Sequence, residues 1–399
     1  MNVVTGVAGS EAGDRKSRLV ILQTHPIQYY APVYAALAKR NEVDVHVVYL
    51  TDAGATPHLD EQFGRSIGWD VPLLEGYAFT ILQQGTPIVG RSFLQGDDAR
   101  LGNVLEQLKP DWILLYGYAS AFIWRAVLWA RRRGVRIAYT SDSNLGDPRG
   151  GLRLLAKQVV LRPFFRRIDV CLATSETNQA YLQHYGVRES RIRRMPFAVD
   201  VTRFQTGAPA VGKPRKYDFL WAGKFAVHKR PCDFLAALKR VAADCPQQIR
   251  AAIVGEGELR GTLEVQAKGL PRNCSLEFVG FVNQRAMPSV LQSADTLVFT
   301  SEREPYGLIA TEAAAAGLAL ILADTIGCVG ATVLARPGIN AQVYTAGGVE
   351  ALAEAMRRML EDKTALHGMQ AASRAIAQQH DATVAASVIE DVVLRRGES

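Results

Sequence analysis

The sequence predicts an α/β fold of two doubly wound domains facing a cleft. Three observations carry this. Short apolar, β-branched runs alternate with stretches of helical periodicity. The alternation restarts after Phe204. A run rich in Gly, Pro and Ala, Thr206–Pro214, separates the two series. In the first series Leu19–Gln23, Val43–Leu50, Trp112–Tyr116, Arg136–Thr140 and Val170–Thr174 read as strands, with helical periodicity over Pro32–Arg40 and Ala121–Arg133. In the second, Phe219–Trp221, Ile249–Val254, Leu276–Val279, Thr296–Thr300 and Ala319–Ala323 read as strands, and the closing helices are Val349–Asp362 and Thr364–His380. Strand–helix alternation implies parallel sheets covered by helices on both faces. The implied division is a first domain over 18–204, a linker over 205–214, a second domain over 215–379 and a loose tail over 1–17.

The bulk numbers suit this reading. The chain has 399 residues, enough for two domains of ordinary size. Hydrophobic residues make up 48% and charged residues 21%, as in a soluble globular protein. No apolar run approaches the roughly 20 residues a membrane helix needs; the best candidate, Ala119–Ala130, is interrupted by Arg125. Met1–Ser17 lacks the basic start and long apolar stretch of a signal peptide. The five cysteines and seven histidines are scattered without metal-ligand spacing. The cysteines read as reduced thiols, so the expectation is a cytoplasmic protein with no metal and no bound cofactor.

Glu304 and Glu312 have seven residues between them, in Glu304-Pro305-Tyr306-Gly307-Leu308-Ile309-Ala310-Thr311-Glu312. Pro305 and Gly307 break the chain after the Thr296–Thr300 strand. Leu308–Ala316 then reads as an Ala-rich helix closed by Gly317. A helix N-terminus attracts phosphate, while carboxylates accept hydrogen bonds from hydroxyls. A ligand that is both phosphate ester and polyol, such as a nucleotide-sugar, satisfies both halves. Glutamates near a helix start also complement the dipole with no ligand at all, so the pair gains weight only from its surroundings.

Those surroundings are other strand ends. Gly223-Lys224-Phe225-Ala226-Val227-His228-Lys229 follows the first strand of the second series. A Gly there lets the backbone turn close to a ligand, and Lys224 and Lys229 can converge on a diphosphate as point charges. They also read as exposed loop lysines. Gly255-Glu256-Gly257 suits a tight βα turn, and Gly280-Phe281-Val282 ends a third strand where backbone groups could meet a base. Ligands in such sheets bind outside the carboxyl ends of the strands.

Together these elements resemble the large retaining glycosyltransferase family 4, of the GT-B architecture with two Rossmann-like domains. The resemblance covers most of the chain and is strongest from Asp218 to Asp324. Gly223–Lys229 matches the family's Gly-Arg-Leu-x-x-x-Lys motif with Lys224 in place of arginine. Val254–Gly257 matches its Val-Gly-x-Gly stretch, and Glu304–Glu312 its Glu-x7-Glu motif, followed here by Ala313–Gly317. The resemblance implies transfer of a sugar, by a hexosyltransferase or another glycosyltransferase, from a nucleoside-diphosphate sugar to a hydroxyl. Glu304 would accept hydrogen bonds from the transferred sugar, and the backbone of Tyr306, Gly307 and Leu308 would meet diphosphate and sugar. Glu312 would bind the ribose, Gly223, Lys224 and Lys229 would hold the diphosphate without a metal, and Val282 or its neighbour Asn283 would contact the base. The last helix, 380–399, would pack back onto the first domain.

The first domain departs from the family more. Thr24-His25-Pro26-Ile27-Gln28-Tyr29-Tyr30-Ala31-Pro32 stands where many members have a Gly-Gly loop, and resembles the branch that carries a Thr-His-Pro-Ile-Gln-Tyr segment. His25 and Gln28 become candidates for donor phosphate or acceptor contact, although His25 also suits a local cap. Asp142 stands where many members have a histidine. It could bind a sugar hydroxyl on the acceptor side or serve an Asx-type turn. Met195–Asp200 resembles the Pro-Asn-Gly-Val-Asp hinge segment with Ala198 for glycine, and Ala341 replaces a later glycine.

Charge is uneven. Of the net +7, residues 1–204 hold 25 basic against 19 acidic residues. Arg125–Arg167 holds 11 basic residues against Asp142 and Asp147. Such a stretch is a solvated face, or a surface for anionic lipid headgroups near a lipid-linked or saccharide acceptor at the inner membrane. Nucleic acid is the third option, but no nucleic-acid-binding signature accompanies it. Two other functions remain open: a nucleotide-sugar epimerase or hydrolase of the same fold, and a weakly catalytic sugar-nucleotide-binding subunit of a transferase complex.

Overall fold

A computed structural model describes residues 15–56, 58–60, 65–85, 93–94, 96–146 and 152–394. Most of the expected N-terminal tail, Arg149 and the last five residues lie outside them. The strands in chain order are β1 Arg18–Gln23, β2 Asp44–Thr51, β3 His58–Asp60, β4 Arg65–Ile67, β5 Ala78–Gln83, β6 Trp112–Tyr116, β7 Arg136–Ser141, β8 Val170–Ala173, β9 Ile192–Arg194, β10 Tyr217–Ala222, β11 Ile249–Val254, β12 Cys274–Gly280, β13 Ala294–Phe299, β14 Ala319–Ala323 and β15 Ala341–Tyr344. Strands β3 and β4 form a separate ribbon.

The chain divides into two compact units. One comprises 1–58, 67–198 and 382–399, the other 59–66 and 199–381. The first holds a seven-stranded parallel sheet in the order β5-β2-β1-β6-β7-β8-β9. The second holds a six-stranded parallel sheet, β12-β11-β10-β13-β14-β15. Both are doubly wound, as the alternation predicts. The central strands read as continuous apolar runs because helices bury both of their faces. Val20, Leu22, Ile113 and Leu115 enter one core with the helix Ala121–Arg133, and Leu19, Ile21 and Leu114 enter another on the opposite face.

Five strands escaped the sequence reading: the β3–β4 ribbon and, in the two main sheets, β5, β9 and β15. The last three lie at sheet edges. An edge strand pairs on one side only, so the apolar signal is short; β9, Ile-Arg-Arg, is mostly charged. The segment Val199–Phe204, which the sequence reading put in the first domain, groups with the second unit. Its bonds explain why. The Val199 N–H donates to the His380 carbonyl at 3.1 Å, the Val201 N–H to Asp381 Oδ2 at 3.1 Å, and Gln292 Nε2 to the Phe204 carbonyl at 2.8 Å.

In the first unit the helix Ala382–Leu394 lies beside the helix Ala31–Arg40. Ala385, Ala386, Ile389 and Val393 join Val33, Tyr34 and Leu37 in one core. Arg40 donates to both oxygens of buried Glu390, at 2.9 and 2.8 Å. No helix among the described residues is long and apolar enough to cross a membrane. Ile389 is fully enclosed, so Ile389→Ala should cost about 2–4 kcal/mol through lost transfer energy and a cavity. Urea unfolding measures it; an unchanged midpoint would show that the terminal helix contributes nothing to the first unit.

Candidate functional site

In the second sheet the chain leaves β10 for β11 and β12 on one side, then returns for β13 on the other. The switch point therefore lies between β10 and β13, where the two following loops diverge and leave a crevice at the carboxyl ends of the strands. The β10 loop carries Lys224 and Lys229, and the β13 loop carries Glu304. Lys229 Nζ and Glu304 Oε2 form an ion pair there. The two side chains are 19% and 16% exposed, so the pair is enclosed but reachable.

Thr300 fixes the junction beneath the pair. Its hydroxyl donates to the carbonyls of Lys229, at 2.7 Å, or Arg230, at 2.9 Å, and accepts from Trp221 Nε1 at 2.8 Å. The Glu302 N–H donates to the His228 carbonyl at 2.8 Å, so backbone also bridges the loops. The Gly327 and Cys328 N–H groups donate to the carbonyls of Glu304 and Tyr306, at 3.0 and 2.9 Å, closing the far side.

Gly307 starts the helix Leu308–Ala315 at φ 95°, a left-handed conformation that glycine adopts without strain. A Cβ there would stand 2.8 Å from Phe299 and 3.0 Å from Ile326. No side chain caps this helix, so its partial positive end remains available to an anion. Gly255 has the second tight approach: its Cβ would lie 1.9 Å from the Gly223 carbonyl oxygen. That contact lets the β10 and β11 loops meet, and the Gly223 N–H donates to the Val254 carbonyl at 3.0 Å.

Glu312 sits on the same helix but differs from Glu304. It is 3% exposed, and its Oε1 has no hydrogen-bond partner. Burial pushes its carboxyl up to about 7, opposed by the charge of Arg203. Leu308 and Tyr306 are also buried, and the Tyr306 hydroxyl pairs with His380 Nδ1 at 3.2 Å. Val282 and Asn283 are half-buried on the loop after β12. The structure thus brings Gly223, Lys224, Lys229, Val282, Glu304, Tyr306, Gly307, Leu308 and Glu312 to the carboxyl ends of neighbouring strands and the helix that follows.

The remaining candidates lie in the first unit, at the carboxyl ends of its own strands. His25 follows β1, its Nδ1 2.9 Å from Thr24 Oγ1, and Gln28 lies in the next turn, half-buried. Asp142 follows β7, is exposed, and acts on Tyr30 of the same Thr24–Pro32 segment; burial first, and Asp142 among lesser causes, raise that phenol. Among the described residues no cluster of three His, Cys, Asp or Glu could hold a metal, and all five cysteines are free thiols. Sequence reasoning missed Arg203, Thr300 and Gln284. None carries a local signal, because their contacts join segments 70 or more residues apart.

Two doubly wound parallel sheets, the second with a crevice of mixed charge at its switch point, define a two-domain α/β class. Comparison narrows the class. Residues 208–376 match the family described as glycosyl transferases group 1, and residues 27–198 match the glycosyl transferase 4-like domain. The chain belongs to the GT-B glycosyltransferases of the family-4 type. Curated relatives include a glycogen synthase of Mycobacterium tuberculosis, 28% identical over 50% of this chain and 47% of that protein. Another is a GDP-mannose-dependent phosphatidylinositol dimannoside mannosyltransferase of the same species, 35% identical over 28% of each chain. The chain thus spans about half the length, or less, of these relatives. Among solved structures, HepE of Anabaena in complex with UDP superposes with a TM-score of 0.68 at 18% identity, covering 94% of this chain and 99% of that one. WaaG, a glycosyltransferase involved in lipopolysaccharide biosynthesis, gives 0.63 at 14% identity over 94% and 100%. At such identities the likeness concerns the fold.

The raised carboxyl of Glu312 has a consequence for stability. Its folded value, about 7, exceeds its ordinary value of 4.5. The folded state therefore holds the proton more tightly, and that contribution is present below about 4.5 and lost as pH rises through 7. Glu312→Gln removes the titration. Relative to this variant, the ligand-free protein should lose about 3 kcal/mol between pH 4.5 and 8. Urea unfolding at both pH values measures this; an equal difference at both would mean that the buried carboxyl does not titrate in this range.

Proposed function

We propose that the chain transfers a sugar from a nucleoside-diphosphate sugar to a hydroxyl acceptor, with retention of the anomeric configuration. The observation that carries this is the enclosed Lys229–Glu304 pair at the switch point, set beside an uncapped helix N-terminus. A cation and a helix end suit a diphosphate, while a carboxylate suits sugar hydroxyls. Each member of the pair gains a ligand partner when the donor enters, so neither is left buried alone. The UDP in the HepE structure and the GDP-mannose in the mannosyltransferase's name support the same ligand class.

In this reading the bond from the anomeric carbon to the diphosphate oxygen breaks, and the acceptor oxygen bonds to that carbon on the same face. The acceptor's proton passes to the leaving diphosphate, so no dedicated protein base is required. Lys224, Lys229 and the Gly307 helix end stabilise the charge that develops on the leaving group; two ammonium groups supply the neutralisation without a metal. Gly223 admits the diphosphate to the backbone, and the Tyr306–Leu308 backbone meets diphosphate and sugar. Glu304 orients the transferred sugar, Glu312 receives the ribose hydroxyls, and Val282 or Asn283 meets the base. On the first unit, His25 and Gln28 take a donor phosphate or the acceptor, and Asp142 an acceptor hydroxyl. Free thiols throughout suit a reducing, cytoplasmic compartment.

A thermal-shift panel of UDP-, GDP-, ADP- and TDP-sugars tests the donor: the cognate ligand at 100 times its Kd adds about 2.7 kcal/mol to stability. With it, Lys229→Ala and Glu304→Ala should each lower kcat by roughly 100- to 1,000-fold, and the product's anomeric configuration, read by NMR, should match the donor's. Wild-type rates in both variants would remove these roles. Turnover without any acceptor would favour the epimerase or hydrolase reading, and donor binding without turnover the subunit reading.

We also infer that the first unit docks on an anionic membrane. The helices Ala121–Arg133 and Leu152–Arg166 are neighbours: the Trp124 and Phe164 rings lie 5.0 Å apart, and Arg131 Nε donates to the Arg167 carbonyl at 2.7 Å. Their outer surfaces mix basic side chains, Arg132, Arg162 and Arg166, with exposed Leu128 and Val159, the latter 74% exposed. A cavity of about 580 Å³ opens beside the first helix, lined by Phe93, Trp124, Leu128, Trp129 and Arg132 and also by Asp97 and Glu106, which pair with Arg125 and Arg133. Apolar tips and aromatic rings among basic groups are the chemistry of an interfacial anchor. The protein should sediment with phosphatidylglycerol vesicles, less so as salt rises, and Leu128→Asp with Arg132→Glu should abolish this. Equal recovery with phosphatidylcholine vesicles would overturn the inference.

A further inference from the structure

The hinge-like segment Met195–Asp200 has no task in the mechanism above, yet the residues after it reach into the nucleotide site. Asp200 caps the short helix Val201–Gln205: its Oδ1 accepts from the Arg203 N–H at 3.0 Å. The cap sets where Arg203 points. The guanidinium lies over the Phe204 ring, 4.5 Å from its centroid, which fixes its plane. Nη1 donates to the Gln284 carbonyl at 3.1 Å, and Nη2 to Gln284 Oε1 at 2.8 Å. Gln284 is buried, and its N–H donates to Asn283 Oδ1 at 2.8 Å. A single guanidinium thus holds both backbone and side chain of one residue, Gln284, in the loop 281–286 that follows β12. Its positive charge is also the one that acts on buried Glu312, whose Oε1 lacks a partner.

We propose that Arg203 is a positioning residue of the nucleotide site: it clamps the loop after β12 through Gln284, from a short helix that packs against the helix carrying Glu312, so that base and ribose recognition are set as one unit by the segment that Asp200 caps. This rests on the donor-site reading given above. The clamp needs a planar fork of two donors, which arginine has and lysine lacks. It does not touch the diphosphate machinery at Lys224, Lys229 and Gly307. Losing it should therefore weaken recognition of the nucleoside while sparing recognition of the phosphates, a split that general destabilisation would not produce.

Calorimetric titration of the full chain with the cognate nucleoside diphosphate and, separately, with inorganic pyrophosphate tests this. Arg203→Ala and Gln284→Ala should each raise the Kd for the nucleoside diphosphate at least tenfold and narrow the preference among UDP, GDP and ADP. The Kd for pyrophosphate should stay within twofold. Arg203→Lys should fall between wild type and Arg203→Ala. The double variant should be no weaker than the worse single variant, because both remove one interaction. Additive losses, or a parallel loss of pyrophosphate binding, would overturn the proposal, as would unchanged nucleoside diphosphate affinity in Arg203→Ala. If the wild-type protein binds pyrophosphate but no nucleoside diphosphate, the donor-site reading falls first and this inference with it. Far-UV circular dichroism and the melting temperature of each variant separate lost binding from lost folding.

Discussion

The second domain's site depends on bringing a cation and a carboxylate from two diverging loops to within contact while keeping both reachable. The Lys229–Glu304 pair is the result, and most of the local structure serves it. Strands β10 and β13 are adjacent, so the loops that follow them begin side by side and part immediately. Left alone, two such loops would drift apart. The Thr300 hydroxyl and the Glu302 N–H hold them together through main-chain carbonyls of 228–230, leaving Lys229 and Glu304 as side chains above the seam. The seam below must be dry and tight, which explains the buried Trp221 and Phe299 beneath it.

Tightness has a covalent requirement. Where loops from adjacent strands touch backbone to backbone, no Cβ fits. At Gly327 a Cβ would stand 1.8 Å from the Pro305 carbonyl oxygen, closer than any side chain tolerates. That close approach supports the turn before the helix Leu308–Ala315 and so fixes where its N-terminus points. Half of the helix is alanine, Ala310 and Ala313–Ala315 being fully enclosed. Small side chains let it sit close against its neighbours, and its direction follows from that packing rather than from any cap.

Much of this was legible in the sequence, for a physical reason. Central strands of a doubly wound sheet are buried on both faces and spell themselves out as apolar runs; β6, β11 and β14 match their predicted bounds residue for residue. The Gly223–Lys229 and Glu304–Glu312 segments are equally local, since each glycine and proline in them marks a turn. What escaped is non-local. Edge strands β5, β9 and β15 lack the two-sided burial that would mark them. Nothing near Arg203 in the sequence marks it, because its partner Gln284 is 81 residues away. The burial of Glu312 was also illegible: position in a motif does not reveal that neighbouring elements will seal a carboxylate from water.

The two glutamates of the motif consequently have different physics. Glu304 has a lysine within contact, so its charge is already compensated before any ligand arrives. Glu312 has only Arg203 as an opposing charge, and Arg203 is committed to Gln284 by two hydrogen bonds. A buried carboxyl so placed is only partly ionised near neutral pH unless something donates to it. Hydroxyls can do so at little cost, whereas a phosphate would bring its negative charge into a poorly solvated spot. In the proposed donor site, the burial of Glu312 would therefore favour the polyol end of a ligand. The enclosed but reachable, compensated pair at Lys229 and Glu304 would suit its phosphates and reacting sugar. The asymmetry follows from which neighbours each carboxyl meets: Glu304 a lysine in contact, Glu312 a sealed, apolar setting.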